Sequence, residues 1–159
     1  MLTFQIESFP EFYSDPQRDA LWREHYEEFD FSHKSKMAFS PYVEVYQALD
    51  ASGALLIVTA REGKELTLVG YCFVIIQGHM HYSGTLCGIE DAYYLSKRCR
   101  KGLAGYKMLR YSLKMLKARG VVKAFFMTKE NLSIARLLER LGGTKSDSVY
   151  SFWLDEGDL

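Results

Sequence analysis

Residues 93–120 read YYLSKRCRKGLAGYKMLRYSLKMLKARG, and the fold turns on how this stretch is parsed. An apolar run ends at Leu95. A basic, glycine-bearing turn follows, Lys97-Arg98-Cys99-Arg100-Lys101-Gly102-Leu103-Ala104-Gly105. Leu109, Leu113 and Leu116 then recur on one side of a helix that runs to about Arg119, with Gly120 as the C′ residue that ends it. Glycines without a Cβ let a ligand approach the backbone closely. A helix that opens there points unpaired N–H groups and the positive end of its dipole into the turn. That geometry suits an anion, phosphate above all. From 92 to 129 there is no Asp or Glu, while eleven of the twenty Lys and Arg residues fall there. A glycine turn between strand and helix is common, and lysine on a helix usually faces water; the anion reading rests on glycines, helix start and cations coinciding. The pattern is neither G-x-x-x-x-G-K-[ST] nor G-x-G-x-x-G, which argues against a P-loop and against a dinucleotide-binding fold.

Downstream, the apolar run 121–127 reads as a buried strand. Residues 133–141 read as a helix, with Ile134, Leu137, Leu138 and Leu141 on one face and Gly142-Gly143 as its stop. Residues 149–154 read as a last strand, followed by a polar tail. Upstream lies an antiparallel meander. Residues 54–60 form a strand, 61–65 a hairpin turn and 66–76 its partner, with Gly70 marking a bulge or close approach. Residues 79–94 form one further strand or two short ones, interrupted by Gly84 and Gly88. At the N-terminus, Leu2, Phe4 and Ile6 alternate as a strand. Ser14-Asp15-Pro16 starts a helix with Trp22, Tyr26 and Phe29 on its apolar face. Arg23, Glu24, Glu27 and Glu28 on the other face read as solvated, or as facing a cationic substrate. A connection over 30–41 and a short helix over 42–49 complete the order. A strand–turn–helix–strand crossover is right-handed, so 82–95 and 121–127 are expected to lie parallel in a mostly antiparallel sheet. This is an α+β fold of mixed α/β layers.

A length of 159 residues predicts a single domain over 1–159. The formal charge is zero, and eight acids fall in the first thirty residues, so nucleic-acid binding has only the local support of the 97–129 patch. Cys72, Cys87 and Cys99 show no C-x-x-C spacing and their odd number argues against a disulfide framework. No apolar run reaches roughly 18 residues, which predicts no membrane span. The opening MLTFQIESFP has neither the basic nor the apolar region of a signal peptide. A soluble, reduced, cytoplasmic protein is the expectation.

In element order from Leu55 to Leu154, and most sharply from Asp91 to Gly143, the chain resembles the GNAT superfamily of acetyl-CoA-dependent N-acetyltransferases. The family motif Q/R-x-x-G-x-G/A holds the coenzyme A pyrophosphate on backbone N–H groups. Setting Gly102 on its first glycine puts Ala104 on the small final position and Cys99, a departure, at its start; Arg100 sits one residue later as a substitute cation. The second family motif, N-x-x-A-x-x-L-Y-x-x-L-G-F, stands here as residues 131–143, NLSIARLLERLGG. Asn131, Leu137, Leu141 and Gly142 match, the alanine is displaced by one, and Leu138 replaces the tyrosine that often protonates the departing thiolate. The segment DAYYLSKRCRKGLAGYKML, with HYEEF at 25–29 and HMHY at 79–82, is also similar to GNAT-like proteins of tailed bacteriophages. The resemblance implies a GNAT-like sheet with helices on both faces and acetyl-CoA as cosubstrate. Tyr94, Leu95 and Ser96 would hold the pantetheine arm like an added strand. Arg100, Lys101, Gly102, Leu103, Ala104 and Gly105 would hold the phosphates, with Arg98 adding charge. Asn131 would contact the arm or order its loop.

Acetyl transfer to an amine needs a neutral amine, a polarised thioester and a proton for the thiolate. Glu90, Asp91, His79 and His81 are the candidate bases. Each has an ordinary alternative: Asp91 caps or pairs with a neighbour, and His81 is a half-buried strand residue. His79 and His81 have no third ligand at metal-site spacing, so no metal is expected. Tyr93, Tyr94, Tyr106 or bulk water would replace the missing acid. The expected partners are acetyl-CoA and an amine acceptor, a protein lysine, an N-terminus or a small cationic amine, with a homodimer left open and no membrane. Two other readings compete. One is a GNAT-like protein that binds coenzyme A without turnover or serves as a virion or host-interaction component, in host cytoplasm or virion if phage-encoded. The other is a nucleic-acid-binding domain using the basic patch.

Overall fold

The computed structural model describes residues 1–28, 38–128, 134–152 and 154. Five strands form one sheet in sequence order: β1 (Leu2–Glu7), β2 (Leu55–Glu62), β3 (Thr67–Gly78), β4 (Leu86–Leu95) and β5 (Val121–Phe125). The first four pair antiparallel and β4–β5 is parallel. The parallel pair follows from the crossover through α4 (Ala104–Ala118), the helix read from its leucine stripe. Gly120 takes φ +81° as the helix ends.

Alternation divides the core in two. Leu56, Val58 and Ala60 of β2 and Cys72 and Val74 of β3 face α4, where Met108, Leu109 and Leu116 are buried. Leu55 and Ile57 of β2 and Tyr71 and Phe73 of β3 face the opposite side. There they meet Phe9 and Phe12 of α1 (Phe9–Tyr13), Leu21 of α2 (Arg18–Glu28) and the partly buried Val43, Tyr46 and Leu49 of α3 (Val43–Ala51). Helices thus cover both faces of β2 and β3, whose near-continuous apolar runs reflect burial on both sides.

Four expectations need correction. Ser8-x-x-Glu11 is a capping box that starts the separate helix α1 ahead of the helix start expected at 14–16. Asp15 does fold back at that start, Oδ1 accepting from Gln17 N–H at 2.8 Å. Residues 79–85 form a turn, with Gly84 at φ +76°, so His79 and His81 lie outside the strand. Strand β5 sits at the sheet's end rather than in its interior: Val121 is buried, while Val122 is 74% exposed. Finally, residues 149–152 and 154 form no strand; Val149, Tyr150, Phe152 and Leu154 are exposed and pair with no described edge. Strand propensity alone does not make a strand where no neighbouring edge pairs with it.

Two glycines sit where a side chain would collide with the sheet. A Cβ on Gly70 would lie 2.8 Å from the Tyr94 carbonyl and 2.9 Å from Leu95 Cδ1, and the adjoining β2–β3 register shift falls between Ala60 and Arg61. Gly88 lets Val74, Leu116 and Val121 close over β4. On the other side of the sheet, Arg61 joins β1, β2 and the α1–α2 connection. Its Nε and Nη2 donate to Glu7 at 2.7 and 2.9 Å, and Nη1 donates to Asp15 at 2.6 Å.

Candidate functional site

Strand β4 pairs with β5 only as far as Ile89↔Phe125, yet continues along β3 to Leu95↔Gly70. From Glu90 onward no described strand covers its outer edge, so the two parallel strands part like a wedge. Backbone groups along such an edge need partners. A bulge between Phe73 and Val74 leaves Asp91 as the extra residue just where the wedge opens. Glu90, 7% exposed, reaches across the opening, its Oε2 accepting from Met127 N–H at 3.2 Å. Loss of water raises its carboxyl to about 7; the Met127 bond opposes the rise and the Asp91 charge adds to it.

At its far end the edge runs into the basic turn. Ser96 N–H still bonds to Val69 O of β3 at 2.8 Å, and a short 3-10 turn over Lys97–Cys99 leads to α4. Gly102 takes φ +60° and a Cβ there would meet nothing within 4 Å, so the backbone at this point is open to a ligand. Gly105 differs: a Cβ there would meet Tyr93 Oη at 3.1 Å and Leu137 Cδ1 of α5 (Ile134–Arg140) at 3.2 Å. It serves the packing of β4, α4 and α5. Lys101, Leu103 and Ala104 line a cleft of about 380 Å³ with Arg98, Lys107 and Met1, on the side of the turn towards β1.

Arg98 and Arg100 of the turn are engaged within the chain, and on α2 Glu24 and Glu28 bond to the turn while Arg23 and Glu27 are exposed as the solvated-face reading expects. Arg100 pairs through both terminal nitrogens with Glu28, one bond at 2.7 Å, and its Nε donates to Leu95 O at 2.6 Å. Tyr94 Oη donates to the same Glu28 at 3.0 Å. Glu24 Oε1 accepts from Ser96 Oγ at 3.1 Å and from Lys97 N–H at 3.2 Å. Arg98 pairs with Glu62. The Arg100 guanidinium, first by hydrogen bonding and then by charge, holds the Glu28 carboxyl below the usual range. Two of the cations offered as a nucleic-acid patch, Arg98 and Arg100, are therefore paired with carboxylates within the chain.

On the opposite face, the bulge opens into a cavity of about 330 Å³. Tyr71 and Phe73 of β3, Trp22 and His25 of α2, Tyr46 of α3 and Phe39 line it, with Asp91 and Ala92 at its β4 side. Tyr46 Oη donates to Asp91 Oδ2 at 2.6 Å. His25 stacks on Tyr94 at 4.5 Å, and its Nδ1 shares a 2.6 Å hydrogen bond with the Tyr71 hydroxyl. Burial lowers His25 to about 4, so the ring is neutral at pH 7.

Of the four candidate bases, Glu90 and Asp91 meet at the wedge. His79 and His81 do not: the five steps of strand from Leu86 to Asp91, at about 3.3 Å each, already place the turn roughly 17 Å or more from the bulge. No group of three His, Cys, Asp or Glu residues suited to a metal ion occurs among the described residues. Asn131 lies outside the described residues. His25 and the aromatic cavity escaped the sequence reading. The local clue was a histidine three residues after Trp22 on one helix face, but the cavity walls come from five separate segments. Leu138 occupies the position where the tyrosine was expected. Tyr93, from β4, puts its hydroxyl beside Gly105 and Leu137 instead, with no described hydrogen-bond partner, and burial raises its phenol well above the ordinary value.

The model of the Acetyltransferase (GNAT) family matches residues 9–143. No curated protein matches the chain. Among solved structures, an aminoglycoside acetyltransferase from an uncultured soil metagenomic sample superposes with TM-score 0.71 at 15% identity, over 97% of this chain and 95% of that one. Glucosamine-6-phosphate N-acetyltransferase from Arabidopsis thaliana gives 0.70 at 12%, over 98% and 99%. Ribosomal-protein-alanine N-acetyltransferase from Brucella melitensis gives 0.66 at 13%, over 98% and 100%. At these identities the structures show a shared fold, and a phage origin gains no support from them.

Proposed function

The chain belongs to the GNAT acetyltransferase family, and we propose that it moves an acetyl group from acetyl-CoA to a primary amine that enters through the aromatic cavity. The observation that carries this reading is the wedge: an uncovered β4 edge that starts at two adjacent carboxylates and ends at a glycine turn and a helix N-terminus. Acetyl-CoA supplies the thioester carbonyl that the amine attacks. Tyr94, Leu95 and Ser96 offer the edge along which the pantetheine arm pairs. The open backbone at Gly102, with Arg100 alongside, suits the diphosphate. Since Glu28 already holds Arg100, the diphosphate competes with a carboxylate for that guanidinium.

Asp91, at the cavity mouth, holds the incoming ammonium. Glu90 is next along the strand, and a carboxyl near 7 is matched to receive the amine's proton at neutral pH. Tyr93 is the phenol that returns a proton to the departing thiolate, in place of the residue lost at Leu138. Thiol release from acetyl-CoA in the presence of amines tests this assignment. Glu90→Gln should lower kcat/KM by about 100-fold or more and abolish a pH limb near 7. Tyr93→Phe should lower kcat with little change in acetyl-CoA binding. Thiol release that needs no amine, or a pH profile unchanged in Glu90→Gln, would remove the proposed roles.

A further inference from the structure

We infer that the acceptor is a small amine with one positive charge and a flat, apolar body, an arylalkylamine in chemical class, and that Asp91 fixes its ammonium. This rests on the transferase reading above and names the substrate of that site.

The cavity is built from rings held against one another. Tyr71 and Phe73, each 2% exposed, form a floor fixed by β3. Tyr46 meets Phe73 edge-on at 5.5 Å and 83°, and Trp22 meets Phe39 edge-on at 5.8 Å and 77°. Such walls present faces and edges between which another flat ring packs well, and aromatic faces also attract an ammonium. The volume of about 330 Å³ lies at the small end of the roughly 300–1,000 Å³ range of ligand pockets, which limits the occupant to one or two rings.

Charge narrows the class further. Asp91 is the one carboxylate among the described lining residues. Tyr46 engages its Oδ2, and no described residue bonds Oδ1. His25 is neutral, so it neither repels the cation nor adds a second counter-charge. On α2, Glu24 and Glu28 are turned onto Ser96, Lys97, Tyr94 and Arg100. A polyamine would bring further ammonium groups for which the described lining holds no second carboxylate, and an aminosugar would bring a non-aromatic ring whose several hydroxyls face mostly aromatic carbon. A lysine side chain leaves most of the aromatic wall unfilled. One charge at Asp91 and one apolar ring system within the cage match what the walls offer.

The test uses the whole chain with Trp153→Phe, which leaves Trp22 as the single tryptophan. 2-Phenylethylamine, spermidine and glucosamine are titrated against Trp22 fluorescence without acetyl-CoA, and the same amines are compared by thiol release with acetyl-CoA. The expected result is a dissociation constant for 2-phenylethylamine at least about 10-fold below those of the other two, with kcat/KM in the same order. Asp91→Asn should weaken that binding by about 10-fold while leaving the melting shift caused by acetyl-CoA unchanged. Phe39→Ser, at a wall position 48% exposed, should weaken it several-fold with the acetyl-CoA melting shift retained. Equal or tighter binding of spermidine or glucosamine, or unchanged 2-phenylethylamine binding in both variants, would overturn the inference. A normal acetyl-CoA shift with no aromatic preference sinks this inference alone; absence of that shift sinks the transferase reading instead.

Discussion

Glu90 and His25 are pushed in opposite directions by burial, and each leaves a mark on stability. The carboxyl of Glu90 titrates near its ordinary 4.5 in the unfolded chain and at about 7 in the fold. Below 4.5 both states hold the proton. Between 4.5 and 7 only the folded state does, so its contribution to stability falls by about 3 kcal/mol across that window and stays low above it. For His25 the ordinary value is 6.5 and the folded value about 4. Between them the unfolded chain takes up a proton that the fold refuses, so stability falls as pH drops, again by about 3 kcal/mol. Urea unfolding from pH 4 to 8 separates the two. Glu90→Gln should gain on the parent protein above pH 7 and show no such advantage at pH 4. His25→Gln should lose the steep fall on the acid side. Parallel curves for parent and variants would show that neither group is buried as described.

Helix α2 acts as an acidic clamp on the basic turn. Its Glu28 holds Arg100 and accepts from Tyr94, while Glu24 accepts from Ser96 and Lys97. These pairs are partly exposed, so Glu28→Gln should cost about 1 kcal/mol of stability or less. The same change frees Arg100 and should tighten acetyl-CoA several-fold in a calorimetric titration; weaker binding would mean that Glu28 orders the turn rather than competing for it. Strand β4 depends on β3 in the same way. In Gly70→Ala the new methyl meets the Tyr94 carbonyl at 2.8 Å, so backbone must shift, and a loss of about 1–3 kcal/mol is expected with weakened acetyl-CoA binding. The clamp and the contact at Gly70 both act on Tyr94, Leu95 and Ser96, the segment proposed for the pantetheine arm.

Across the whole molecule, local signals were legible and non-local ones were not. The α4 stripe, the Gly120 stop, the bulge near Gly70 and the parallel crossover depend on spacing within one or two elements, and all are present. The expected strand over 149–154 failed because pairing depends on a partner edge that no periodicity announces. Glu90 and Asp91 could be named because they lie on the strand just before the turn, but the bulge that brings Asp91 to the cavity could not be read from them. Glu24 and Glu28 read as solvated because their partners lie 66 to 73 residues away. No helix among the described residues is long and apolar enough to cross a membrane.

Every role proposed for these residues depends on acetyl-CoA seating along the β4 edge and the Gly102 turn. Thermal melting of the full chain with increasing acetyl-CoA measures this without assuming an acceptor. At about 100 times the dissociation constant, linkage adds about 2.7 kcal/mol, a rise of roughly 5–11 °C for a chain of this size. That rise is expected, and a bulky residue at Gly102, where the backbone is left-handed and open, should diminish it. A melting temperature unmoved at millimolar acetyl-CoA, or a rise undiminished in Gly102→Val, would contradict that seating.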